Sequence, residues 1–151
     1  MTFVDTNVIM YAVGRPHPLR AEAREFFRDA LREGAALCTS AEVLQELMHA
    51  YLPVDRMATL DAALDLVASG IGTVYPLEPE DVRLARALAS EFPALDARDL
   101  VHLAGCRRRG ITRLKTFDRA LGAAASPGRR PAGRVGTKNA PPRGPVHRKS
   151  A

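Results

Sequence analysis

Thr2-Phe3-Val4-Asp5-Thr6-Asn7-Val8 is the stretch on which the fold reading turns. A short apolar run ends in an acid and a polar pair. A second apolar run, Val8 to Val13, follows until Gly14-Arg15-Pro16 breaks it. Working outward, His17 to Arg32 repeats apolar residues at helical spacing (Leu19, Ala23, Phe26, Phe27, Ala30), and Gly34 supplies a stop. Ala35 to Cys38 suits a small buried strand. Thr39-Ser40-Ala41-Glu42 has the form of a capping box, opening a helix that runs to about Tyr51. Helices are expected from Asp55 to Ser69 and from Pro79 to about Ser90, with a strand at Thr73–Tyr75 between them. A last helix, Leu95–Arg109, precedes a strand at Ile111–Lys115 and then Thr116-Phe117-Asp118. Strands that alternate with helices of this length predict an α/β fold around a parallel sheet. In such sheets ligands bind beyond the carboxyl ends of the strands, where Asp5 and Asp118 both fall.

Each candidate acid also has a plain structural reading. Asp5 suits a helix cap or an Asx turn, and Asp118 suits the cap of a short segment after it. Glu46 falls beside the core stripe Val43, Leu47 and Tyr51, where a carboxylate can simply reach back to solvent. Asp96 fits the N-cap of the helix Leu95–Arg109 and Asp99 its first turn, where acids favour the positive helix end. With Leu100, Leu103 and Ala104 on the core face, Asp99 lies at the margin of that face, so Asp99 rather than Asp96 is the expected functional acid of this helix. Taken together, four acids at the ends of different elements suit a hard cation with oxygen ligands, Mg²⁺ or Mn²⁺. Such an ion stabilises charge on a phosphoryl oxygen and activates water.

Composition narrows the classes further. With 151 residues and 46% hydrophobic content, the chain fits one domain with a real core. Met1 leads almost directly into Phe3-Val4-Asp5, so no signal peptide is expected, and no apolar run approaches the roughly 20 residues of a membrane span. The expected compartment is the cytoplasm. Cys38 and Cys106 are far apart and read as two buried thiols. His17, His49, His102 and His147 are dispersed and form no zinc motif. From Ala124 onward there are seven Lys/Arg and no acid. Removing these from the 22 basic residues leaves 15 against 17 acidic ones, a net of −2, so the basic character belongs to the tail. The tail begins at about Ala123 and carries five prolines and four glycines. It is expected to be disordered, leaving residues 1–122 as the folded domain.

The four motifs together resemble the PIN-domain family, and within it the VapC toxins of bacterial toxin–antitoxin pairs. Phe3-Val4-Asp5-Thr6-Asn7-Val8 looks like the opening of such a domain. Ser40 followed six residues later by Glu46, the run Ala97-Arg98-Asp99-Leu100-Val101-His102-Leu103-Ala104, and Thr116-Phe117-Asp118 resemble its second, third and fourth motifs. The likeness covers roughly residues 1 to 121. It implies a three-layer sandwich of a parallel sheet between helices, Mg²⁺ or Mn²⁺ as cofactor, and endoribonuclease activity on RNA. It also implies a homodimer inhibited by a small cognate antitoxin whose tail enters the acidic cleft. Residue by residue, it assigns Asp5, Glu46, Asp99 and Asp118 to metal binding and catalysis, and Thr6, Asn7 and Thr116 to supporting polar positions.

One departure from the family pattern stands out. Where members finish with a last strand, Leu121-Gly122 gives way to alanines and the Pro/Arg tail, so that strand is either degenerate, around Val135, or absent. Rival readings fare worse. A haloacid-dehalogenase-like phosphatase needs a second carboxylate two residues after Asp5, where Asn7 stands. A receiver-type signalling domain needs an acid after a middle strand, where Pro76-Leu77 stand. The alternative that survives is a non-catalytic PIN-like module binding RNA or protein, its tail supplying phosphate contacts.

Overall fold

The computed structural model describes residues 1–126. Four short strands, β1 (Thr2–Val4), β2 (Leu37–Ser40), β3 (Thr73–Tyr75) and β4 (Arg113–Lys115), form one parallel sheet in the order β3-β2-β1-β4. Central β1 sets Phe3 opposite Cys38 on one side and Leu114 on the other. Between the strands lie α1 (Thr6–Val13), α2 (Arg20–Glu33), α3 (Ala41–Tyr51), α4 (Met57–Gly70), α5 (Pro79–Leu88) and α6 (Ala97–Arg108), and α7 (Arg119–Ala125) follows β4. The chain adds β2 and β3 on one side of β1, then crosses back to place β4 on the other. Because parallel crossovers are right-handed, that reversal moves the later helices to the opposite face of the sheet. Helices α1–α4 accordingly pack among themselves and α5–α7 among themselves, which makes the expected three-layer sandwich.

Two apolar clusters fill the layers. One joins Val8, Ile9, Val43, Leu47, Leu60 and Val67, and the other joins Ala85, Leu88, Leu100, Leu103, Ala104 and Leu121. The stripe Val43, Leu47 and Tyr51 is buried as its spacing required. Cys38 and Cys106 are free and buried. No helix among the described residues is long and apolar enough to cross a membrane.

Several local expectations shift, each for a physical reason. The apolar run after Asn7 is helix α1, capped by Asp5, whose carboxylate accepts from the Thr6 N–H at 2.7 Å. Helix α2 starts at Arg20 rather than His17, since Pro18 pushes the residue before it out of helical geometry. Helix α3 is capped by Ser40, which accepts from Val43 N–H, and not by a Thr39–Glu42 box. Thr39 is still strand and spends its hydroxyl on the Val4 carbonyl at 2.8 Å. Helix α4 starts at Met57 because a 3-10 turn, Leu52–Val54, ends with Asp55 in the left-handed region. After Asp118 comes α7, whose alanines continue to Ala125, so the boundary expected at 122 falls inside a helix. Ala is the strongest helix former, and Leu121 anchors the segment in the second core. The rest of the tail, from residue 127, lies outside the described residues, and so does the region around Val135 where a last strand is either degenerate or absent.

Candidate active site

Strand order reverses at β1, and the crevice beyond the carboxyl ends of β1 and β4 is where a doubly wound sheet opens for ligands. Asp5 leaves β1 into that crevice and is 5% exposed. Its Oδ1 accepts from the Thr6 N–H and its Oδ2 from the Thr116 hydroxyl at 2.6 Å, so a residue past β4 holds the acid of β1. Thr116 is held in turn. Asn7 Nδ2 donates to its hydroxyl at 3.1 Å, while Asn7 Oδ1 accepts from the Phe117 N–H at 3.1 Å. Asn7 and Thr116 thus clamp α1 to the β4–α7 turn, while Thr6 serves Asp5 through its N–H.

Glu46 enters from α3. Its Oε2 accepts from the Thr6 hydroxyl at 2.8 Å, and its Oε1 lies 2.7 Å from Nε2 of His102 on α6. The same nitrogen is 3.9 Å from Asp5 Oδ1. Asp99 comes from the first turn of α6, half-buried, and accepts no side-chain hydrogen bond among the described residues. Asp118 caps α7, accepting from Leu121 N–H at 2.8 Å, and stays exposed at the rim. The four acids come from four different elements and are brought together. Asp96 stands apart from them as the N-cap of α6, accepting from Arg98 and Asp99 N–H at 2.9 and 3.0 Å.

The electrostatics record the crowding. Burial, then the charges of Asp96, Asp118 and Asp5, pushes the Asp99 carboxyl up to about 6. Asp5 is also raised, by burial above all, against the pull of Thr116, His102 and the Thr6 N–H. Burial would raise Glu46 too, but its bond to His102, the imidazolium charge and the Thr6 hydroxyl outweigh it and hold it low. Burial works against a charged His102, yet Glu46, then Asp5 and Asp99, lift its pKa above the usual value. This is a site with surplus negative charge and hard oxygen donors. Among the described residues no three His, Cys, Asp or Glu side chains converge tightly enough to hold an ion as they stand. The donor chemistry, carboxylate oxygens with no thiolate among them, is the kind Mg²⁺ or Mn²⁺ takes, and it does not fit structural zinc.

The sequence matches the PIN domain family over residues 2–126. The chain belongs to that family. This PIN domain is 56% identical over 124 residues to Ribonuclease VapC23 of Mycobacterium tuberculosis, a match covering 82% of the chain and 98% of the relative. It is 40% identical over 119 residues to Ribonuclease VapC13 of the same organism, covering 79% and 91%. Among solved structures it resembles M. tuberculosis VapC20, described as a sarcin–ricin loop cleaving toxin. There the TM-score is 0.68 at 18% identity, over 82% of this chain and 95% of that one. The PIN domain is therefore of the VapC ribonuclease type, and the structural likeness, at that identity, speaks for the fold.

Sequence reasoning missed His102 as a member of this PIN-domain site. Read by chain distance, it was one of four scattered histidines. Its helical position carried the signal: three residues after Asp99, it shares a face of α6 with that acid. A buried imidazole between Glu46 and Asp5 then fixes where the Glu46 carboxylate points.

Proposed function

We propose that this PIN domain is a Mg²⁺- or Mn²⁺-dependent endoribonuclease that hydrolyses RNA phosphodiester bonds in the cytoplasm as the toxin of a type II toxin–antitoxin pair. The observation that carries the reading is the gathering of Asp5, Glu46, Asp99 and Asp118 from four elements into one crevice, where, among the described residues, His102 is the one cationic partner and serves Glu46. These four would hold the ion. When bound, Mg²⁺ or Mn²⁺ supplies an activated water and offsets charge on the phosphoryl oxygens. The chain's own residues do the positioning. Thr116 and the Thr6 N–H orient Asp5, the Thr6 hydroxyl and His102 orient Glu46, and the Asn7 clamp keeps α1 and the β4–α7 turn in register. Exposed Met48, Leu52, Val54 and Met57, around the α3–α4 connection, offer an apolar surface for the cognate antitoxin or for the second copy of a homodimer.

The deciding experiment is cleavage of total RNA by the full chain. Activity should vanish in EDTA and return with Mg²⁺ or Mn²⁺, and Asp5→Asn should stay inactive under all conditions. Undiminished cleavage after thorough chelation would reject the metal, and a non-catalytic binder would cut nothing in either state.

The basic tail invites a second measurement. The 124 residues matched make up 98% of VapC23, so that relative carries no extension of comparable length. Deleting residues 127–151 should leave the melting temperature almost unchanged and weaken RNA binding most at low salt, because seven positive charges leave with it. Loss of cooperative unfolding in the shortened chain would instead show that the segment completes the domain.

A further inference from the structure

Beside the acids runs a column of three rings that the clamp and the metal site do not use. Tyr11 lies one helical turn after Asn7 on α1, so both face the β4–α7 turn. The Tyr11 ring meets Phe117 edge-on, with centroids 5.4 Å apart at 74°. On Tyr11 stacks His17, 4.3 Å away at 26°. His17 is exposed, while Tyr11 and Phe117 are half-buried. Its ring is nonetheless held: Nδ1 accepts from the Leu19 N–H at 3.1 Å, and Pro16 and Pro18 stiffen the loop on either side. The column is coupled to the site, because Phe117 N–H donates to Asn7, Asn7 donates to Thr116, and Thr116 donates to Asp5.

The loop that carries His17 and the helix after it bring cations to one side of the column. Arg15 stands two residues before His17, and Arg20 and Arg24 follow it, against Glu22 and Glu25. Lys115 occupies Glu22 at 2.8 Å and lies 4.7 Å from the centre of the Phe117 ring. The body of the chain is net acidic, so this stretch is a local exception. Preoriented aromatic faces next to cations are what single-stranded RNA uses, since unstacked bases lie on such rings while the backbone follows the positive charge. Pinning the loop alone would not call for an exposed outermost ring.

Resting on the ribonuclease reading above, we infer that the His17–Tyr11–Phe117 column is a base-stacking platform, with His17 the residue that receives a nucleotide flanking the scissile bond. It makes His17 a substrate-positioning residue acting on binding rather than on the chemical step.

The test compares the full-length protein with His17→Ala and His17→Phe on a single-stranded RNA oligonucleotide that the wild type cuts. His17→Ala should raise KM roughly tenfold with kcat nearly unchanged, the scale of one lost base stack. His17→Phe should restore KM, and an abasic nucleotide at the flanking position should erase the difference between wild type and His17→Ala. In EDTA, a 2-aminopurine base at that position should be quenched by wild type and by His17→Phe but not by His17→Ala. Equal KM and equal quenching for wild type and His17→Ala would overturn the platform, as would failure of His17→Phe to restore them. A wild type that quenches the base yet cuts no RNA with Mg²⁺ or Mn²⁺ would reject the ribonuclease reading and leave the platform standing.

Discussion

Asp99→Asn is expected to lower RNA cleavage by at least about a hundredfold, since even indirect partners of metal ligands are worth ten- to a hundredfold. The same substitution should stabilise the metal-free protein. Asp99 is crowded by Asp96, Asp118 and Asp5, and its carboxyl titrates at about 6 against an ordinary 3.8. The folded state therefore holds a proton that the unfolded state releases between those values, and stability falls as pH rises from about 4 to about 6. An amide removes that fall. Because the group is only half-buried and solvent screens it, the gain at pH 7.5 should be on the order of 1 kcal/mol, a few degrees of melting temperature, and should shrink towards nothing at pH 4. Asp96→Ala should behave oppositely. It removes the cap that accepts two N–H groups of α6, costing roughly 0.5–2 kcal/mol, while most cleavage survives. Cleavage, Mg²⁺ affinity and melting curves of both variants decide between the two acids. Normal cutting by Asp99→Asn with loss in Asp96→Ala would reverse the assignment.

The largest effect on stability is expected at Asp81, a residue with no part in the chemistry. It is buried at the start of α5 and holds two arginines of the α6 C-terminus. Arg109 reaches Oδ1 at 2.9 Å and Oδ2 at 3.2 Å, and Arg108 reaches Oδ1 at 2.6 Å. The Glu78 N–H donates to Oδ2 at 2.9 Å and closes a capping box. Burial would raise this carboxyl, but the Arg109 bonds, the Glu78 N–H and Arg108 outweigh it and hold it below the usual range. Asp81→Ala leaves Arg109, itself mostly buried, with only carbonyls, Glu78 and the Tyr75 ring, and should cost about 3 kcal/mol. Denaturant midpoints measure this directly. The contribution is present above pH 4 and is lost as pH falls through the lowered folded pKa, so wild type and Asp81→Asn should converge in strong acid. A loss well under 1 kcal/mol would mean that the α5–α6 packing does not depend on this cluster. Since α6 carries both Asp99 and His102, the cluster also holds the helix that serves the site.

Asp81 and His102 show where reading the chain stopped. Asp81 stands in the first turn of α5, and nothing along the sequence announces that Arg108 and Arg109, some 27 residues on, will close over it. His102 looked like one of four dispersed histidines until α6 crossed α3 and set it 2.7 Å from Glu46. The shift of the α3 cap from Thr39 to Ser40 is of the same kind. Local capping chemistry allowed either residue, and the Val4 carbonyl of the neighbouring strand took the Thr39 hydroxyl.

What the sequence by itself determined is the part written in local periodicity and local chemistry. It specified the alternation of strand and helix, the buried stripe Val43, Leu47 and Tyr51, the cap at Asp96, and the placement of Asp5 and Asp118 just past strands. These follow because side chains repeat with the backbone's own geometry, and because a helix end must satisfy its free N–H groups nearby. Only the tertiary structure decided the strand order, and with it that Thr116, just past β4, would hold Asp5, just past β1. It also decided that four acids, each with an ordinary local role, would share one crevice, where the charges of Asp118 and Asp5 add to burial in raising Asp99. Those are long-range terms: they depend on which elements meet, and their strength comes from the exclusion of water when the layers close.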